Sequence, residues 1–152
     1  MNIEIKIANK EDLKEILDLQ HICYKENAIR YNDFNIQPLT QSLQELEEEF
    51  DRGLILKAEA EGKIIGSVRA YKNNNTCYIG KIIVDPSYQN RGIGQKLMKE
   101  IENSYSGVSR FELFTGFKDE KNIYLYNKLG YKVFKEEKLS PELTFLFFEK
   151  II

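Results

Sequence analysis

Apolar and polar residues alternate through Ile3, Ile5 and Ile7, the period-two pattern of a strand with one buried face. The period then changes. Asn9 is suited to cap a helix, with Asp12 in its first turn, and Leu13, Ile16 and Leu17 return at helical spacing, followed by Ile22, Cys23 and Tyr24. RYNDFNIQPL reads as a loop in which Pro38 sets up a second helix starting near Thr40. Leu43, Leu46 and Phe50 form its apolar stripe, and Gly53 stops it. The acidic run between Glu45 and Glu49 is the solvated face of that helix.

Three strand-like segments come next, LILKAEA, KIIGSVRAYK and TCYIGKIIVD, joined by short turns at Glu61-Gly62 and at residues 73–75. Short polar turns between alternating runs predict an antiparallel meander. Ile93, Leu97, Ile101 and Tyr105 then share one helical face, and VSRFELFTG is a strand. The helix between TCYIGKIIVD and VSRFELFTG makes a β-α-β unit, so those two strands run parallel. A short helix ending at Gly130 and two more strands, YKVFKE and LTFLFFEKI, complete the order β α α β β β α β α β β. The pattern predicts one α/β domain over residues 1–152, a mixed, mostly antiparallel sheet with one parallel pair and about four helices.

Composition narrows the function classes. A chain of 152 residues with 42% hydrophobic and 30% charged residues is globular, and its formal charge of −2 offers no basic field for nucleic acid. No apolar run approaches a membrane span and no signal-peptide core is evident, so the expectation is a cytoplasmic protein that binds neither nucleic acid nor membrane. Cys23 and Cys77 lack metal-ligand spacing and read as reduced packing residues. His21 is the only histidine, which leaves a metal site or a histidine triad little to build on.

The chemistry sits in DPSYQNRGIGQKL, at a strand-to-helix junction. A dinucleotide loop needs a third glycine after Gly92-Ile93-Gly94, and an ATP/GTP loop needs Gly-Lys-Ser/Thr; neither is present. The remaining pattern is Gln89-x-x-Gly92-x-Gly94 opening a helix. Amides at a helix start lack intrahelical acceptors, and the helix dipole adds partial positive charge there. Glycines let a diphosphate approach those amides. Gln89, Asn90, Arg91, Gly92, Ile93, Gly94, Gln95 and Lys96 are therefore the candidate anion-binding loop, with Arg91 and Lys96 adding charge.

This loop resembles the pyrophosphate loop of the GCN5-related N-acetyltransferase (GNAT) family, and LYNKLGY at residues 125–131 resembles a second signature of that family. The resemblance spans essentially the whole chain. It implies acetyl-CoA as cosubstrate, no metal, and transfer of the acetyl group to a primary amine of a small molecule or peptide by direct attack in a ternary complex. It implies Tyr126 as proton donor to the leaving thiolate, against the alternative of a packing tyrosine. It also implies that the donor runs along Ile82, Ile83 and Val84 where two parallel strands splay, with a free N–H of Ile83 or Val84 stabilising the oxyanion; the side chains of Ile82 and Ile83 also read as core. Where the family often has an asparagine for the pantetheine arm, this chain has Asp119, and Asn122 stands one turn before Tyr126 as a substitute. The glutamate that often serves as base is absent from CYIGKIIV, where Tyr78 and Lys81 are the nearby groups and Glu112 lies on the next strand. The base stays unnamed.

Residues 20–40 are expected to shape the acceptor pocket, with Tyr24, Arg30, Tyr31 and Phe34 as lining candidates or as ordinary packing. A CoA-binding sensor or interaction module with little turnover is the competing class. The continuous run Phe145, Leu146, Phe147, Phe148 suggests a last strand buried on both faces, one of them by a second subunit in a homodimer.

Overall fold

The computed structural model describes residues 2–152. In chain order the elements are β1 (Ile3–Ile7), α1 (Leu13–Arg30), a one-turn α2 (Gln37–Thr40), α3 (Leu43–Arg52), β2 (Leu54–Ala60), β3 (Lys63–Asn73), β4 (Thr76–Val84), α4 (Ile93–Ser104), β5 (Arg110–Gly116), α5 (Glu120–Lys128), β6 (Lys132–Lys138) and β7 (Thr144–Ile151). The seven strands form one sheet in the order β1-β2-β3-β4-β5-β7-β6, antiparallel throughout except for the parallel pair β4 and β5. The mixed α/β architecture read from the periodicity is thus the one observed.

One boundary differs. The second long helix starts at Leu43, because Ser42 caps it: its hydroxyl accepts from the Glu45 amide at 3.2 Å, while the Glu45 carboxylate accepts from the Ser42 amide at 2.8 Å. Pro38 seeds the separate single turn of α2 instead.

Alternation within the strands divides the core. Leu56, Ala58, Ile65 and Val68 face Ile93, Leu97, Met98 and Ile101 of α4, whereas Ile55, Ile64 and Ile83 face Leu13 and Ile16 of α1 and Leu46 of α3. Cys77 is buried among the first set, and both cysteines are free thiols.

The parallel pair holds for three residues only: Thr76 beside Arg110, Cys77 beside Phe111 and Tyr78 beside Glu112. Two local causes separate the strands beyond that point. In β4, Gly80 pairs with Arg69 but Ile83 pairs with Ser67, so Lys81 and Ile82 stand opposite Val68 alone. Lys81 takes a positive φ of 52° in this bulge, which bends the strand. β5 meanwhile stays with β7 along its whole length, from Arg110 beside Ile151 to Gly116 beside Phe145. A cleft opens between them.

Within the single chain the last strand is covered on one face and half-open on the other. Phe148 is fully buried, but Phe145, Leu146 and Phe147 are half-buried, and every residue of the neighbouring edge strand β6 is exposed. Phe145 and Phe147 lie beside Phe114, with ring centroids 4.7 and 5.3 Å away, on a face left partly open.

Candidate active site

A cavity of about 1810 Å³ occupies the cleft. Its wall takes in the end of β4 (Ile82, Ile83, Val84), the loop into α4 (Gln89, Asn90, Gly92, Ile93, Gly94, Gln95), Asn122 and Tyr126 of α5, and side chains from α1 and α3. Arg91 and Lys96 stand outside this wall on the exposed side, with the Arg91 guanidinium 5.2 Å from the Tyr88 ring centre.

The loop is shaped for close approach. Asp85 Oδ1 accepts from the Ser87 amide at 2.8 Å, which holds the turn leading in. Asn90 and Gly92 then adopt left-handed φ values of 63° and 78°. The first helical bond runs from the Lys96 amide to the Gly92 carbonyl at 3.1 Å, so the amides of Ile93, Gly94 and Gln95 have no acceptor within the helix. Gly92 is a glycine because of its φ. Gly94 has no such reason: a β-carbon there meets Leu125 Cδ2 at 3.4 Å and Ile82 Cδ1 at 3.9 Å, both ordinary contacts. The demand for glycine at position 94 therefore comes from the cavity side. Gln89 is tied down at both ends, donating to the Val84 carbonyl at 3.4 Å and accepting from Lys121 Nζ at 3.0 Å.

The register distinguishes the two oxyanion candidates. The Asp85 amide donates to the Ile65 carbonyl at 2.8 Å, and Ile83 pairs with Ser67 while Val84 pairs with Gly66. Backbone groups alternate sides along a strand, so the Ile83 N–H points with that of Asp85 toward β3. The Val84 N–H points the other way, into the gap that β5 has left. The carbonyl of Val84 faces the same way and accepts from Gln89 and, at 3.4 Å, from Cys23 Sγ. Burial pushes the Cys23 thiol up to about 12, so it is not a nucleophile here.

On α5, Tyr126 is 4% exposed, and its ring lies edge-on to Phe148 at 5.5 Å. Its hydroxyl has no hydrogen-bond partner among the described residues. Burial, then the nearby Tyr24 phenol and Asp119 carboxylate, push the Tyr126 phenol above its ordinary range. Asn122 Nδ2 reaches Thr115 Oγ1 at 3.4 Å and lies on the wall. Asp119 is spoken for: it accepts from Arg30 Nη1 at 2.9 Å, the Tyr31 hydroxyl and Thr115 Oγ1 at 2.8 Å each, and the Gly116 amide at 3.0 Å. That carboxylate joins the end of α1 to the β5–α5 junction. Of the two residues near the pantetheine position, Asn122 is the one with hydrogen-bonding capacity to spare.

The other side of the cavity is built from side chains. Tyr24, Arg30 and Tyr31 line it; Phe34 is exposed and does not. Behind them Arg69, 6% exposed, gives Nη2 to Gln41 Oε1 at 2.8 Å and to Glu49 Oε2 at 3.3 Å. Gln41 also bonds Glu49 and accepts from Gln20 Nε2 at 2.9 Å. Lys81 projects from the bulge into this surrounding, where burial, with Arg69 adding to it, lowers its ammonium to about 8. Glu112 pairs with Arg110 at 2.8 Å, and Tyr78 stacks on Tyr71 at 5.1 Å; neither lines the cavity, which removes both as base candidates. Sequence reasoning undervalued Lys81 and missed Arg69. The available signal was a single charge interrupting each of two apolar runs, YIGKIIV and IIGSVRA.

A cleft between splayed parallel strands, with acceptor-free amides at a helix start on one side and a mixed polar wall on the other, defines a group-transfer enzyme. Residues 13–131 match the model of the Acetyltransferase (GNAT) family, and the chain belongs to that family. The fold is shared with the PaiA N-acetyltransferase of Thermoplasma acidophilum in complex with coenzyme A, at TM-score 0.78 and 22% identity over 100% of both chains. It is shared as well with the ribosomal-protein-S18-alanine N-acetyltransferase of Escherichia coli, at TM-score 0.83 and 16% identity, covering 99% of this chain and 94% of that one. Among curated proteins, the UPF0039 protein of Schizosaccharomyces pombe is 27% identical over 129 residues, 84% of this chain and 81% of its own length. No helix among the described residues is long and apolar enough to cross a membrane, and no group of metal-ligating side chains occurs among them.

Proposed function

We propose that the protein is a cytoplasmic N-acetyltransferase, a single catalytic unit over residues 1–152, moving the acetyl group of acetyl-CoA to a primary amine of a small molecule or peptide. One observation carries this reading: Gln89, Asn90 and residues 92–95 of the loop, Val84, Tyr126 and the polar wall from α1 and α3 all line one cavity. Donor and acceptor therefore fit side by side, as direct attack requires. A neighbour of the same fold that holds coenzyme A and one named for an alanine amine support the donor and the acceptor type.

In this reading the diphosphate rests on the Ile93, Gly94 and Gln95 amides, and the pantetheine arm lies along Ile82 to Val84 beside Asn122. The neutral amine attacks the thioester carbonyl, and the Val84 N–H receives the developing oxyanion. Tyr126 donates to the leaving thiolate. A phenol held above its ordinary range stays protonated at every working pH, so it carries the proton the thiolate needs. The half-open aromatic face of Phe114, Phe145 and Phe147 is the proposed contact of a homodimer.

A coenzyme-A sensor is the second reading. The observation favouring it is that Asp119 and Glu49, carboxylates on the wall, are already held by internal donors. Free-thiol release from acetyl-CoA, measured against amines, polyamines, aminoglycosides, amino acids and peptides, decides between them. Acceptor-dependent release establishes the enzyme; tight acetyl-CoA binding with no release from any acceptor establishes the sensor.

A further inference from the structure

The charges around the acceptor side nearly cancel, with one exception on the strand bulge. Arg30 of α1 is matched by Glu26 at 3.3 Å and Asp119 at 2.9 Å. Arg69 of β3 is matched by Glu49 of α3 at 3.3 Å. Arg52, at the end of α3, gives its Nε to the Glu48 carbonyl at 3.3 Å from an exposed position. Lys81 makes no hydrogen bond or ion pair among the described residues, although most of its side chain is withdrawn from water. Its backbone is in the left-handed region, unusual for a residue with a β-carbon, so the bulge delivers this ammonium to the cavity at a conformational cost. Next to it the Arg69 guanidinium leaves its buried Nε without an acceptor; since Arg69 is offset by Glu49, the charge left over in this group is that of Lys81.

A desolvated, unpaired ammonium beside a buried guanidinium favours an anion and disfavours a second cation. We propose that the acetyl acceptor carries a carboxylate close to its amine, as a free amino acid does, and that Lys81 receives that carboxylate. The inference rests on the acetyl-transfer reading above and names its substrate class. Its geometry follows from the position of the bulge. Lys81 immediately precedes the stretch 82–84, along which the thioester is expected, so a carboxylate held at Lys81 leaves the adjoining amine facing the acetyl carbon. A single cation suits a carboxylate better than a doubly charged phosphate. It also lowers the affinity for polyamines, whose additional ammonium groups are repelled by Lys81.

The test uses amines in matched pairs that differ only by the carboxylate: phenylalanine and phenethylamine, lysine and cadaverine, alanine and ethylamine. Thiol release from acetyl-CoA gives kcat/KM for each. The expected result is a preference of roughly tenfold or more for the carboxylate member of at least one pair, the scale of one charge-assisted hydrogen bond. That preference collapses toward unity in Lys81→Gln and returns in Lys81→Arg. Decarboxylated members that match or beat their partners overturn the proposal, as does a preference that survives in Lys81→Gln. A second readout does not need turnover: with coenzyme A present, carboxylate members raise Tm in the natural protein and fail to do so in Lys81→Gln. No Tm rise with any carboxylate member also overturns the proposal. Calorimetry with acetyl-CoA alone separates the two levels, because loss of donor binding would count against the acetyl-transfer reading, whereas intact donor binding without a carboxylate preference counts against Lys81 alone.

Discussion

The two sides of the cavity are made by different means. The donor side is backbone: acceptor-free amides at the start of α4, a glycine at 94 that nothing in the protein's own packing demands, and the Val84 N–H exposed by a strand leaving its neighbour. The acceptor side is side chain: Arg69, Glu49, Gln41 and Gln20 bonded to one another, Asp119 holding five donors, and Lys81 left over. A backbone site recognises what every substrate pair has in common, a diphosphate and a thioester. A side-chain site can be altered one residue at a time without disturbing the sheet, and in the proposed function that is where the acceptor is chosen.

The contrast can be broken most forcefully on the donor side. Gly94→Val should leave a folded protein, since the added atoms meet chiefly the flexible end of Leu125, yet lower acetyl-CoA affinity on the order of a hundredfold by holding the diphosphate off the amides. Calorimetry with a thermal melt checks both halves, and undiminished affinity in a folded variant would refute the loop assignment.

Tyr126→Phe tests the boundary between the two sides. Turnover should fall roughly a hundredfold with donor affinity nearly unchanged, because the ring remains against Phe148. A better leaving thiol should shrink the deficit. If Tyr126 only packs, turnover survives and the loss appears as reduced stability in urea.

On the acceptor side, Asp119→Ala should cost about 3 kcal/mol of stability, since Arg30, the Tyr31 hydroxyl, Thr115 and the Gly116 amide lose a shared acceptor in a place water hardly reaches. Urea unfolding measures it. A loss below about 0.5 kcal/mol would mean that the hub is replaceable by water.

The smallest effect is a gain. The folded pKa of Lys81 lies below its unfolded value, so folding disfavours the charged form; the penalty is full below about pH 8 and disappears as pH rises toward the unfolded value. Lys81→Gln should thus stabilise the protein by about 1–3 kcal/mol at pH 7 and by almost nothing near pH 11. A stability difference that does not vary with pH would show that Lys81 is hydrated.

Periodicity along the chain specified most of the fold, because each strand and helix buries one face and writes that face into its own residues at spacing 2 or 3.6. Ile3-Ile5-Ile7 and Ile93-Leu97-Ile101 are such cases. The start of α3 was misjudged by three residues because Pro38 competes with the Ser42–Glu45 box as a start signal, and the box holds with two hydrogen bonds. The apolar run of the last strand does not tell how much of each face the chain itself covers; the fold leaves Phe148 buried and Phe145, Leu146 and Phe147 half-buried.

The sequence by itself marked the glycine loop at the start of α4, since glycines and helix-start amides act locally within a dozen residues. Only the tertiary structure decided that Val84 rather than Ile83 offers its N–H, that Asp119 is fully used, and that Lys81 is a cation without a partner. Each of these depends on which groups from α1, α3, β3, β5 and α5 come within hydrogen-bond reach, and that distance is set by the packing of the whole sheet.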